Sequence, residues 1–189
     1  MPVWGSWLLW VFVIAQRLFE LRIAKKNARW IKKQGGIEYG EKHYPWLVLI
    51  HVGFLLSLLM EGLWARVEPV SWWWIPFLLF LGVQGLRIWV MQSLGKVWNT
   101  RIYVIPGRKP QNSGPYRYLR HPNYVVVMLE FILLPLVMGA YGTFISFTLI
   151  NFLFLYCIRI PMEEEAWQIY GGDPDEMMKK HRFFPLFHK

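Results

Sequence analysis

Long apolar blocks, neither alternating nor amphipathic, organise this chain: Val3 to Ile23, Trp46 to Ala65, Val70 to Met91, Asn123 to Met138 and Ala140 to Ile158. Each approaches the roughly 17 to 25 residues that a helix needs to cross a hydrocarbon core. The runs are too long and too unalternating for barrel strands, so helices are the predicted spanning form. No internal repeat and no long linker divides the chain. The pattern predicts an all-α integral membrane protein of about five transmembrane helices, with one domain over residues 1–189. Residues 1–92 carry three N-terminal spans, and residues 93–189 carry two spans and a C-terminal helix.

Composition agrees with this picture. Of 189 residues, 55% are hydrophobic and 18% aromatic, more apolar area than a soluble domain of that size can hide, so the surplus is expected to face lipid. The first block lacks a basic leader and a small-residue cleavage site, and reads as a retained span. Tryptophans at positions 4, 7, 10, 64, 72, 73 and 74 fall at span ends, where indoles prefer the headgroup level. The net charge of +9 is distributed over alternate loops. Lys25, Lys26, Arg29, Lys32, Lys33 and Lys42 fill the first connection; Lys96, Arg101, Arg108, Lys109, Arg117 and Arg120 fill the third; Lys179, Lys180, Arg182 and Lys189 fill the tail. The second connection has Arg66 and the fourth has none. This asymmetry predicts an external N-terminus and a cytoplasmic C-terminus, and it argues against nucleic acid as the partner. Cys157 is the sole cysteine, which excludes an intramolecular disulfide and a cysteine-based metal site.

Polar residues inside the spans are Gln16, Arg17, Glu20, His51, Glu61, Gln84 and Arg87. Pairing among them in the bundle, or snorkelling near span ends, is the expected outcome; lining a ligand cavity is the alternative.

Two clusters carry candidate chemistry. Residues 93–121 form a polar stretch rich in proline and glycine, too long for a mere connector. It ends in Gly114-Pro115-Tyr116-Arg117-Tyr118-Leu119-Arg120-His121-Pro122-Asn123-Tyr124, just before an apolar helix. Pro122 is suited to the first helical position, so a helix is predicted to begin there, its free N–H groups favouring an anionic ligand. His121 can donate a hydrogen bond, and the rings of Tyr116 and Tyr124 can pack on an aromatic ligand or face a cation. A basic, tyrosine-rich anchor at the membrane interface is the competing reading. The second cluster is Arg159-Ile160-Pro161-Met162-Glu163-Glu164-Glu165, where Pro161 is expected to kink or end the last span and the acids to open a new helix. On physical grounds alone the two clusters define an anionic-ligand site or simple helix-end electrostatics.

Together, in this order and flanking a helical hairpin, the clusters resemble the isoprenylcysteine carboxyl methyltransferase family and its bacterial relatives. Supporting matches lie at Ser93-Leu94-Gly95, Trp98-Asn99 and Arg101-Ile102, and the resemblance covers residues 84–185. It implies a catalytic half over residues 93–189, with a cytoplasmic cofactor pocket formed by the last two helices, the preceding loop and the C-terminal tail. The implied cofactor is S-adenosyl-L-methionine. Its contacts would fall on Arg108, Lys109, Pro110, Gln111, Tyr116, His121, Pro122, Asn123, Tyr124 and Glu163, with Arg159 as the catalytic, acceptor-side residue. The run 108–111 matches in position but not in side chain, so only backbone contacts transfer there. Tyr170-Gly171-Gly172 and Arg182-Phe183-Phe184-Pro185 resemble the family's closing segment over the cofactor.

The implied reaction is methyl transfer to an anionic oxygen, a carboxylate or an acidic hydroxyl, of a lipophilic acceptor such as an alkylpyrone-type polyketide or isoprenylcysteine. It needs no metal, and no obligate protein partner is implied; membrane lipids and a lipid-like acceptor are the expected partners. The alternative is a membrane NADPH-dependent sterol-type reductase, which shares an Arg-His-Pro-Asn-Tyr run but not the acidic run after the last span. A non-catalytic scaffold would require both clusters to be coincidence.

Overall fold

The computed structural model describes residues 3–64 and 71–183. Helix α1 spans Val3–Lys33, α2 Tyr44–Trp64, α3 Trp74–Leu94, α4 Pro122–Met138, α5 Tyr141–Phe154, α6 Ile160–Tyr170 and α7 Pro174–Met178. Strands β1, Ile37–Tyr39, and β2, Ile102–Val104, pair antiparallel, with Ile37 opposite Val104 and Tyr39 opposite Ile102.

Among the described residues three helices are long and apolar enough to cross a membrane: Glu41–Gly62, Trp74–Val97 and Tyr141–Tyr170; the apolar helix Pro122–Met138 is shorter. The expected first span differs most. Helix α1 continues ten residues past Ile23 and, at 1.5 Å per residue, is about 46 Å long. Its apolar half is interrupted by Gln16, Arg17 and Glu20, and its basic half stays helical because it packs on the polar stretch that follows α3. Asn27 Nδ2 donates to the Trp98 carbonyl at 2.8 Å, and Asn99 Nδ2 donates to the Ala24 carbonyl at 2.9 Å. Of the expected boundaries, Ala65 and Val70 lie outside the described residues, as do Arg66, Lys189 and the Phe184-Pro185 end of the tail.

The last span also departs from expectation. Pro161 does not end it: helical geometry runs from α5 through a widened π turn, Leu155–Arg159, directly into α6. Proline lacks an N–H and its ring crowds the carbonyl four residues back, here that of Cys157; the wider turn accommodates both defects and leaves Pro161 in the first turn of α6. The polar stretch 93–121 is likewise not bare loop, since its β2 strand pairs with β1 and packs Ile102 and Val104 against Ala166 of α6.

The main core lies among the helices, around Phe54, Leu58, Phe80, Val90, Val126, Phe131 and Leu134, with Phe54 and Phe131 stacked at 4.1 Å. Large apolar side chains on the outer faces remain uncovered, among them Leu49 and Leu56 of α2, Leu78 and Trp89 of α3, and Ile145 and Leu149 of α5. In water such continuous patches are a liability; lipid is the solvent that removes the penalty, and the protein is a multi-pass membrane protein. Trp4, Trp7, Trp72 and Trp74 are exposed, as belt residues should be, whereas Trp10 turns inward and donates to the Leu55 carbonyl at 3.0 Å.

Gln16, Arg17, Glu20, Gln84 and Arg87 pair in the bundle around Glu130, a carboxylate absent from the expected set, whereas His51 bonds the Leu47 carbonyl of its own helix at 2.8 Å. Glu130 of α4 accepts from Arg17 of α1 and from Gln84 and Arg87 of α3, and Glu20 binds both arginines. Two cations, Arg87 buried and Arg17 half-buried, and two buried anions thus join α1, α3 and α4, each charge satisfied inside the bundle. Glu61 of α2 takes another role: it caps α5, accepting from the N–H groups of Gly142 at 2.9 Å and Thr143 at 2.8 Å.

Candidate functional site

One cleft lies at the end of the bundle where the basic segments gather, with about 1040 Å³ of free space including its solvent-filled mouth. Arg108, Lys109, Pro110, Gln111, Tyr116, His121, Asn123, Tyr124, Arg159 and Glu163 all line it, residues from four separate stretches of chain. Pro122 does not line it, but occupies the first turn of α4 and sets where that helix begins. Ile31 of α1, Trp98 and Trp167 complete the apolar part of the wall.

The helix α5–α6 brings Arg159 and Glu163 one turn apart, and Tyr124 of α4 joins them. Its hydroxyl donates to Glu163 Oε2 and accepts from Arg159 Nε at 2.9 Å. The tyrosine ring stacks on His121, with centroids 5.3 Å apart. Arg159 is buried at 3% exposure, and its remaining partners are the Thr100 carbonyl on Nη2 at 2.8 Å and His43 Nε2 on Nη1 at 2.7 Å. Among the described residues no carboxylate touches it. A buried cation surrounded by neutral acceptors is suited to an anionic ligand, because that ligand supplies the missing charge.

His121 lies between two acids. Nε2 is 3.2 Å from Glu164 Oε1, while Nδ1 stands 3.7 Å from Glu163 Oε1, too far for a hydrogen bond but near enough for attraction. Burial alone would lower its pKa; Glu163 and Glu164 outweigh burial and raise it above the ordinary histidine value. Tyr116 is pushed well above the ordinary tyrosine range by burial, helped by the Glu163 charge, so its hydroxyl stays protonated. Two buried ring nitrogens on the cleft wall, His121 Nδ1 and Trp98 Nε1, have no hydrogen-bond partner among the described residues.

The tail folds over this cleft. Gly172 N donates to the Arg108 carbonyl at 2.9 Å and Gly107 N to the Tyr170 carbonyl at 3.0 Å. The two segments approach so closely that a Cβ on Gly172 would stand 2.2 Å from the Gly107 carbonyl oxygen, which explains the glycine there. Further along, Lys180 Nζ donates to the Gln111 carbonyl at 2.9 Å and Arg120 N to the His181 carbonyl at 2.7 Å. Gln111 meanwhile turns its side chain to the Ser93 carbonyl at 2.8 Å, so it offers the cleft backbone more than amide.

The residue at the centre of this closure is Glu164, which sequence reasoning passed over in favour of its neighbour. Glu164 accepts from Arg120 Nη1 at 2.6 Å, from Arg182 Nε at 3.0 Å and from His121 Nε2. Arg120 in turn holds the carbonyls of Met177 and Lys180. Only helical phase could have separated the two acids: residues one apart on a helix point about 100° apart, so Glu163 and Glu164 could not both face the cleft.

A helical membrane bundle whose α5–α6 helix carries an arginine and an acid into one cleft, with the tail latched across it, defines a ligand site built on a membrane protein rather than a soluble domain. Residues 74–169, which hold α3, α4, α5 and most of the cleft, match the isoprenylcysteine carboxyl methyltransferase (ICMT) family. The chain belongs to that family and is a membrane methyltransferase. It is 44% identical over 165 residues to the uncharacterised protein YpbQ of Bacillus subtilis (strain 168), covering 87% of this chain and 98% of YpbQ. It is 26% identical over 156 residues to an uncharacterised protein of Haemophilus influenzae, covering 82% of this chain and 90% of that protein.

Proposed function

We propose that this protein is an S-adenosylmethionine-dependent O-methyltransferase acting on a lipophilic acceptor, with its cleft on the cytoplasmic side of a five-span bundle. One observation carries the reading: a buried arginine without a carboxylate partner and a carboxylate one helical turn away face the same cleft. The cofactor fits the residues present. Among the described residues the Trp98 indole N–H and His121 Nδ1, which carries an N–H once the ring is protonated, have no hydrogen-bond partner and suit the cofactor's acceptor atoms, and Glu163 suits its amine or ribose hydroxyls.

S-adenosylmethionine, held by Tyr116, His121 and Glu163, would supply an electrophilic methyl group on a sulfonium whose leaving group is a neutral thioether. The protein's own part is to bind, align and exclude water. Arg159 holds the anionic oxygen of the acceptor, Tyr124 fixes the distance between Arg159 and Glu163, and the tail latched by Glu164 and Arg120 covers the cofactor end. A carboxylate or an acidic enol-type hydroxyl is already ionised near neutral pH, so no strong base is required. An alkylpyrone-type hydroxyl or a prenylcysteine carboxylate answers that description, its hydrocarbon part remaining in the bilayer.

Family membership turns the reading away from the NADPH-dependent reductase. The five-span topology adds α1 and α4 to the three long apolar helices; the ion network that neutralises Arg17 and Glu20 removes the main obstacle to burying α1. Reporters fused at the two ends test it, and ends on the same side would overturn it. Calorimetric titration of the detergent-solubilised protein with S-adenosylhomocysteine and with NADPH tests the cofactor. Binding of the first alone is expected; binding of NADPH alone would overturn the reading.

A further inference from the structure

One buried ionisable side chain takes no part in the reaction described above. His43 closes the short turn Glu41–His43 ahead of α2, outside the family-matched residues 74–169, and is only 7% exposed. Its Nε2 lies 2.7 Å from Arg159 Nη1. A guanidinium can only donate, so Nε2 accepts, and the imidazole is neutral with its proton on Nδ1. Among the described residues that buried Nδ1 has no hydrogen bond of full geometry, only a weak one to the Gly40 backbone, an arrangement that costs free energy and that an apolar side chain would avoid. The histidine therefore gains what it loses at Nδ1 through its contact with Arg159.

The contact is built by the backbone around it. Gly40 adopts a left-handed conformation, φ 66°, and a Cβ there would stand 2.4 Å from Met162 Cε of α6 and 2.7 Å from the His43 ring. Glycine at this turn lets α6 and the imidazole close together, with the Phe154 ring of α5 6.3 Å from the imidazole between centroids. Around Arg159 three neutral acceptors then occupy three of the five guanidinium hydrogens: Tyr124 on Nε, His43 on Nη1 and the Thr100 carbonyl on Nη2. One N–H remains on each terminal nitrogen, the pair of donors that a carboxylate or a similar oxyanion needs.

We propose that His43 is a positioning residue for the acceptor end of the site, fixing the Arg159 fork, so that the N-terminal half of the chain helps select an anionic acceptor oxygen. The inference rests on the reading of Arg159 as the acceptor-binding residue. The test measures methyl transfer to N-acetyl-S-farnesylcysteine and to a 4-hydroxy-6-alkyl-2-pyrone, alongside S-adenosylhomocysteine affinity, in wild type, His43→Leu, His43→Gln and His43→Asn. Loss of the acceptor on Nη1 in His43→Leu is expected to raise the acceptor KM about tenfold or more while S-adenosylhomocysteine affinity stays within about twofold. Glutamine places an amide oxygen near the Nε2 position and is expected to restore most of the loss; asparagine is too short and should behave as leucine does, which preserves the test if His43→Leu fails to fold. An unchanged KM in both His43→Leu and His43→Asn overturns the inference alone. Parallel loss of cofactor affinity would reduce His43 to a packing residue and overturns it too. Wild type that binds S-adenosylhomocysteine but methylates neither probe overturns the anionic-acceptor reading together with this inference.

Discussion

Replacing Glu164 by glutamine keeps the volume of the side chain and removes the charge on which the tail is latched. Two arginines and a histidine converge on this carboxylate. The Arg182 side chain is 39% exposed, so its pair is solvent-screened and counts for about 0–1 kcal/mol. The Arg120 side chain is 11% exposed, and its contact at 2.6 Å is worth about 1.5–3 kcal/mol as a charged hydrogen bond. The glutamine amide retains one acceptor oxygen and Arg120 keeps its carbonyl partners, so the loss is at most the sum, about 1.5–4 kcal/mol. At 1.4 kcal/mol per factor of ten, that is roughly a 10- to 700-fold rise in the open population of the tail. Amide exchange reads it directly, because the N–H of Arg120 is protected by the His181 carbonyl and that of Gly172 by the Arg108 carbonyl. In Glu164→Gln these two amides should exchange faster by that factor, with α3 and α4 unchanged. Unaltered exchange at Arg120 would refute the latch, and equal acceleration throughout the bundle would show that Glu164 supports the whole fold instead.

The raised pKa of His121 makes stability pH-dependent: its attraction to Glu163 and Glu164 is complete below about pH 6.5, the unfolded value, and is lost as pH rises through the higher folded value. Thermal unfolding in detergent should therefore show a decline over that window, and His121→Gln should flatten it; an identical slope in the variant would contradict the assignment. Glu130→Ala leaves Arg17 and Arg87 sharing Glu20 alone, which should cost about 3–5 kcal/mol of stability, less for Glu130→Gln; unfolding midpoints equal to wild type would show that the network carries no net stability. Gly172→Ala must move the Gly107 carbonyl away from the tail, so S-adenosylhomocysteine affinity should fall without loss of the bundle, and wild-type affinity would count against the tail as part of the site.

Membrane embedding was legible in the chain because it is a property of composition and run length, and neither depends on how the helices meet. The start of α4 at Pro122 and the cluster around His121 and Tyr124 were legible for a similar reason, since proline acts on its own backbone and on the residue before it. Those local rules mark Pro161 as a kink or an end without deciding which, and the π turn that lets the helix continue belongs to the folded structure; nor do they extend α1 past its apolar block, where Asn27 and Ala24 hydrogen-bond residues 95–99. The ion network could not be foreseen either: Glu130 lies 113 residues from Arg17 and 43 from Arg87, and no periodicity links positions on different helices. The same holds at the cleft. Helical phase assigns Glu163 to Tyr124 and Glu164 to the tail, and a turn 116 residues upstream sets His43 against Arg159, contacts that exist only once distant segments share one space.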